Sequence, residues 1–187
     1  MVDIEAGKIT HTFVGHKGPV HEAHFHPRTP GVISSCGVDG TLRIWDIKTQ
    51  RNVLAIPAHQ NEVLSCDFNK YEELIATGSS DNTIKIFDLR QTARPLSILF
   101  GHRYPIKRVR YSPFSRDWLL SGSFDMTVRL WNTADPIDQC KKIHDKHHEF
   151  VQGIAWSPHV ENVVASISWD SKVYIWNVLT DQPFIAA

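Results

Sequence analysis

The chain has 187 residues, with 20 Lys plus Arg against 20 Asp plus Glu and 42% hydrophobic residues. This composition suits one folded, soluble unit with a real core and excludes a disordered or collagen-like chain. A formal net charge of zero gives no bulk attraction to nucleic acid or to an anionic membrane. No apolar run approaches the ~20 residues of a membrane span, and Asp3 and Glu5, with no apolar core after them, do not read as a signal peptide. Cys36, Cys66 and Cys140 are widely spaced and odd in number, so they read as free thiols in a reducing compartment.

In chain order the sequence falls into a short leading segment and four copies of one pattern. The first copy, residues 15–57, carries His16, Ser35, Asp39 and Trp45-Asp46. The second, 58–100, carries His59, Thr77, Asp81 and Phe87-Asp88. The third, 101–145, carries His102, Ser121, Asp125 and Trp131-Asn132. The fourth, 146–187, carries His147, Ser166, Asp170 and Trp176-Asn177. The histidines follow one another at steps of 43, 43 and 45 residues. That period, closing on Trp-Asp or a close variant, predicts an all-β propeller of the WD40 type with four blades present.

Each copy reads as four short strands rich in β-branched and aromatic residues, punctuated by Gly, Pro, Asn, Asp and Ser. In the third copy these are Ile106 to Tyr111, Trp118 to Ser123, Thr127 to Trp131 and a weaker fourth; Ser112-Pro113 ends the first, because Pro cannot donate to a ladder. The recurring polar residues predict an internal staple. An indole N–H bonds the Ser or Thr hydroxyl, the hydroxyl bonds the His, and the His bonds the Asp. Ser, His and Asp also make a hydrolase triad, but a triad occurs once per site and this set recurs at every blade, so no enzyme is expected. Phe87 has no N–H, so the second blade is expected to keep only His59, Thr77 and Asp81.

Asp3 stands 13 residues before His16, as Asp46 stands 13 before His59. Residues 1–14 therefore read as the remnant of a preceding blade, with Lys8 to Val14 as its outer strand. WD propellers usually close at about seven blades, so the frame predicts a partial ring lacking three N-terminal blades. No cofactor and no metal are expected. There is no Gly-rich phosphate loop, paired-Cys motif or HExxH, and the dense histidines (His21, His24 and His26; His144, His147 and His148) fall on strands and turns already committed to the repeat.

The residues between the landmarks are more specific. Ile56 to Tyr71, Phe87-Asp88-Leu89-Arg90 followed by Arg94-Pro95-Leu96, Gly101 to Phe114, Ser123 to Trp131, Ser168-Trp169-Asp170 and Lys172 to Trp176 resemble, in order, the receptor family for the peroxisomal targeting signal type 2. The similarity covers residues 15–187, the family's C-terminal four blades, with Phe87 departing from the usual Trp. The resemblance implies a cytosolic receptor that shuttles to the peroxisome. Its cargo would be matrix proteins bearing an N-terminal signal read as an amphipathic helix, and it would work with an import co-receptor and a peroxisomal docking complex. A helix in a groove needs apolar anchors and a few placed polar groups, and a cationic signal residue needs a carboxylate. On the propeller face before the inner strands and between second and third strands, the candidates are Glu62, Tyr104, Lys107, Phe124, Gln152 and Trp169, with Glu62 the first carboxylate to test. The rival reading is a substrate receptor of a cullin-type ubiquitin ligase, suggested by Asp88-Leu89-Arg90.

Overall fold

The computed structural model describes residues 2–3, 8–9 and 11–184. Among the described residues there is no helix, and the strands form one short pair and four larger antiparallel sheets. The pair is β1 (Val2–Asp3) with β2 (Lys8–Ile9), Val2 lying opposite Ile9. The remnant expected at residues 1–14 therefore lies in part outside the described residues. Where an outer strand through Val14 was expected, residues 11–14 leave the ladder, and Phe13 turns in to pack on Trp45 with ring centroids 5.2 Å apart.

Blade I comprises β3 (Val20–Phe25), β4 (Val32–Gly37), β5 (Thr41–Asp46) and β6 (Arg51–Pro57), hydrogen-bonded in that order. Blade II comprises β7 (Val63–Phe68), β8 (Leu74–Ser79), β9 (Ile84–Asp88) and β10 (Ser97–Leu99). Blade III comprises β11 (Ile106–Tyr111), β12 (Trp118–Ser123), β13 (Val128–Asn132) and β14 (Cys140–His144). Blade IV has three strands, β15 (Val151–Trp156), β16 (Val163–Ser168) and β17 (Val173–Asn177). Among the described residues its fourth position is taken by residues 182–184, where Phe184 N–H donates to the Ile175 carbonyl and Pro183 bridges Trp176. The inner strands β3, β7, β11 and β15 neighbour one another in sequence order, as expected around a propeller axis.

Three apolar cores lie between adjacent blades. Cys36, Leu42 and Ile44 of blade I face Val63, Cys66, Phe68 and Phe87 of blade II. Ala76, Ile84 and Ile86 of blade II face Ile106, Val109 and Leu119 of blade III, and Leu120, Val128 and Leu130 face Val151, Ile154 and Trp176. Alternation along each strand sends one residue to each neighbour, so a blade has no independent core and is stabilised by stacking.

The turn joining second and third strands repeats as well. Its residue after the Asp adopts a left-handed backbone in every blade: Gly40 (φ 70°), Asn82 (φ 68°), Met126 (φ 67°) and Ser171 (φ 64°). At Gly40 a side chain is doubly excluded, since a Cβ there would sit 2.5 Å from the His59 carbonyl oxygen.

Candidate functional site

The connections entering each inner strand and the turns between second and third strands lie at one end of the propeller, and the repeat histidines anchor that end. In blade I, Trp45 Nε1–H donates to Ser35 Oγ at 2.7 Å, the hydroxyl meets His16 Nε2 at 2.7 Å, and His16 Nδ1 meets Asp39 at 3.0 Å. Blade III repeats this with Trp131, Ser121, His102 and Asp125 at 2.8, 2.7 and 2.7 Å. In blade II, Thr77 and His59 are 2.9 Å apart and His59 meets Asp81 at 2.8 Å, with no indole. Asp39 and Asp125 also take the backbone N–H that follows the histidine, from Lys17 and Arg103.

These chains fix the charge state at the turns. Burial penalises the Asp125 carboxylate, but hydrogen bonds from His102, Thr127 and the Arg103 backbone outweigh it and hold the group well below the usual range. Asp170 is held at about 2 in the same way, by His147 and two backbone N–H groups against the penalty of burial. Burial pushes the His59 and His102 rings below the ordinary histidine value despite their aspartates. In blades II and III the staple is therefore a neutral imidazole on an ionised carboxylate.

Blade IV departs from the expected staple. His147 meets Ser166 and Asp170, each at 2.9 Å, but Trp176 Nε1 is buried without a partner. The Trp176 ring instead lies flat on His144, centroids 4.1 Å apart and planes at 8°, and His144 is held by Asp181 at 2.7 Å. His144 stands three residues before the repeat histidine, where the earlier blades have Phe13, Ile56 and Leu99.

At this end every inner strand also carries a bulge at the same register, which adds one residue against its neighbour: His21, Leu64, Lys107 and Gln152. Glu62 is not free, because His21 Nε2 of blade I lies 3.1 Å from its carboxylate. Tyr104 is exposed, Lys107 and Gln152 sit at the bulges of blades III and IV, and Gln152 Nε2 is buried without a partner. Phe124 and Trp169, by contrast, come together. Phe124 stacks on Phe150 at 5.0 Å, Phe150 lies 5.4 Å from Trp169, and Trp169 keeps 64% of its surface exposed. Phe150 was not singled out from the sequence. Its position relative to the repeat histidine, where Pro19, Glu62 and Pro105 stand in the other copies, would have marked it.

A second group, also not anticipated, lines the inner strands. Glu22 Oε2 accepts the Ser65 hydroxyl at 2.6 Å and the Cys66 N–H at 3.1 Å, and Oε1 accepts Arg110 at 2.7 Å. Arg108 and His24 lie 3.4 and 3.3 Å from the same carboxylate. Burial pushes the neighbouring Asp67 carboxyl up to about 6, against the pull of Arg110. His21, His24 and His26 each approach a different carboxylate (Glu62, Glu22 and Glu73), and among the described residues no group of three or more ligating side chains is arranged to hold a metal. Arg90, at the opposite end of blade II, forks onto its own Asp88 at 3.0 Å through two nitrogens.

Residues 1–166 match the family model for the β-propeller described as nucleolar protein 10-like, N-terminal domain. The chain belongs to this β-propeller family. The propeller is 34% identical over 185 residues to the peroxisomal targeting signal 2 receptor of Komagataella phaffii, covering 84% of this chain and 49% of that protein. It is 30% identical to the receptor of the same name in Saccharomyces cerevisiae, covering 86% and 53%. It is also 32% identical to nuclear distribution protein PAC1 of Komagataella phaffii, covering 91% and 42%. The chain thus spans about half the length of the curated relatives it matches. None of these three relatives is named as an enzyme.

Proposed function

We propose that this propeller reads cargo for peroxisomal matrix import, binding an N-terminal type 2 targeting signal on the face that carries Tyr104, Phe124, Phe150 and Trp169. The observation that carries the reading is the likeness, up to 34% identical, to proteins named as receptors for that signal. The aromatic stack, in which Trp169 is exposed and Phe124 and Phe150 are half-buried, is the support from geometry. Large apolar groups on a rigid protein surface mark interaction sites, and aromatic residues dominate binding hot spots. An amphipathic helix would lay its apolar side on these rings and its basic residue against a carboxylate of the same face. The protein would then act in the cytosol and at the peroxisome, with an import co-receptor and the membrane docking complex as further partners.

The test is a pull-down of the chain with a type 2 signal peptide, beside the same peptide with its basic residue reversed to Glu. Capture of the first and loss of the second on reversal supports the receptor. Equal capture of both, together with retention of a cullin-ligase adaptor, would favour the ligase reading instead.

A further inference from the structure

The three contacts between adjacent blades are built from one pair of complementary faces. The forward face of a blade, turned toward the next, carries the residues three and one before the repeat aromatic: Leu42 and Ile44, Ile84 and Ile86, Val128 and Leu130. The rear face of the next blade carries the residues four and nine after the repeat histidine: Val63 and Phe68, then Ile106 and Tyr111, then Val151 and Trp156. Where the two faces meet, none of the forward-face residues, and none of Val63, Ile106 and Val151, is more than 5% exposed.

Among the described residues one face of each kind is left uncovered. On blade I the rear-face residues Val20 and Phe25 are 52% and 67% exposed, and with Phe13, Ala23 and Ile33 they line an apolar cavity of about 430 Å3. On blade IV the forward-face residues Val173 and Ile175 are 64% and 50% exposed, and Ile175 lines a second cavity of about 390 Å3 with Val163, Ala165 and Phe184. Apolar groups exposed together in this way mark a protein contact.

The chain itself shows what each face fits. Forward meets rear at all three contacts, so the surface that completes blade I is one like that of blade IV, and the reverse. A head-to-tail contact of this kind runs on as a filament unless its rotation closes. Here each contact turns one blade about a common axis, so repetition leads back to the starting face. Two copies supply eight blades, within the range at which propellers close. A second copy also brings about the length by which the curated relatives exceed this chain.

We infer that two copies of this chain form a head-to-tail ring, the forward face of blade IV in each packing on the rear face of blade I in the other. Both uncovered faces of each copy are then buried, and the contact is independent of what the aromatic stack at the entry end binds.

The experiment is analytical ultracentrifugation of the full chain, of Phe25→Glu, of Val173→Glu and of the two variants mixed one to one. Wild type is expected at twice the 21.3 kDa of one chain, with a dissociation constant of about 1 µM or below. Either variant alone puts a carboxylate into both contacts of the ring and should weaken it at least about a hundredfold. Because both residues are exposed in a single copy, each variant should keep the circular dichroism of the wild type. The mixture retains one unaltered contact, between blade IV of the Phe25→Glu chain and blade I of the Val173→Glu chain, and should recover a dimer that neither forms alone. A variant that does not fold by itself is refolded with its complement and the same recovery is read. Wild type that stays at the mass of one copy at about 100 µM overturns the ring, as does a species that grows past two copies with concentration. Loss of the dimer in Phe25→Glu alone, or no recovery in the mixture, overturns the head-to-tail pairing. All of these results leave the receptor reading intact.

Discussion

The Glu22 carboxylate lies where three blades meet, and its replacement by Gln is the sharpest test of how the propeller is held. The carboxylate is only 10% exposed. It accepts Ser65 Oγ–H and Cys66 N–H from blade II and Arg110 from blade III, 88 residues away in sequence. Glutamine keeps the volume but replaces one oxygen by NH2. The Ser65 hydroxyl can turn to accept from it, whereas the Cys66 N–H cannot and loses its acceptor. Breaking a fully buried ion pair costs about 3–5 kcal/mol. Arg110 is 22% exposed and keeps the Val109 carbonyl at 2.7 Å, so about 2–3 kcal/mol is expected here. For a chain of this size that is a melting-temperature drop of about 5–12 °C. The acid limb should change too. Burial alone would raise the Glu22 carboxyl, but the contacts from His24 and Arg110 outweigh it and hold the group far below its usual range. Its contribution is therefore complete above the unfolded-state value, from about pH 5.5 upward, and is lost progressively as pH falls below that value toward the folded-state one, a loss absent from Glu22→Gln. Urea titrations of wild type, Glu22→Gln, Arg110→Gln and the double variant measure the coupling. A loss under about 0.5 kcal/mol, or strict additivity of the two single changes, would refute the claim that this pair couples the blades.

The staples predict an asymmetry between two equivalent tryptophans. Trp131→Phe removes the donor to Ser121, whereas Trp176→Phe removes an N–H that has no partner. The first should cost about 1 kcal/mol more than the second in parallel denaturation curves, and equal losses would contradict the geometry. Met126→Asn should raise stability by about 0.5–1 kcal/mol, because Met126 holds φ 67° where blade II already has Asn82; a lower melting temperature would show that the Met side chain matters more than the backbone. Asp67 titrates near 6, above its unfolded value, so the folded state takes up a proton first and wild type gains stability on acidification. Relative to Asp67→Asn that gain is absent at pH 8, about 1 kcal/mol at pH 5 and about 2 kcal/mol at pH 4. A difference that stays flat between pH 8 and pH 4 would mean that Asp67 is not shifted.

The parts legible in the sequence are those set within one blade. His, Ser or Thr, and Asp recur at fixed offsets because a blade must bring the turn before its inner strand against the turn after its second, and each offset is a count of residues along strands of nearly constant length. Phe124 and Trp169 were visible for the same reason, as aromatics directly before the repeat Asp. The contacts between blades were not legible. Glu22 reaches Arg110 only because the bulges after Val20 and Ile106 re-aim the residues that follow, and because blade packing brings β3, β7 and β11 side by side. No spacing rule in a single chain encodes that distance. Trp176 shows how the two levels interact. Its register is that of Trp45 and Trp131, and its hydroxyl partner is present at Ser166. The outcome differs because His144 stands where Trp131 has the aliphatic Leu99 and where Trp45 has Phe13, whose ring is tilted 49° from the indole. A flat imidazole tethered by Asp181 offers the indole a stacking surface 4.1 Å away, and the indole takes that surface while its N–H goes unpaired. The landmark thus fixes where the ring lies along the strand, and the neighbouring strand decides which way it turns.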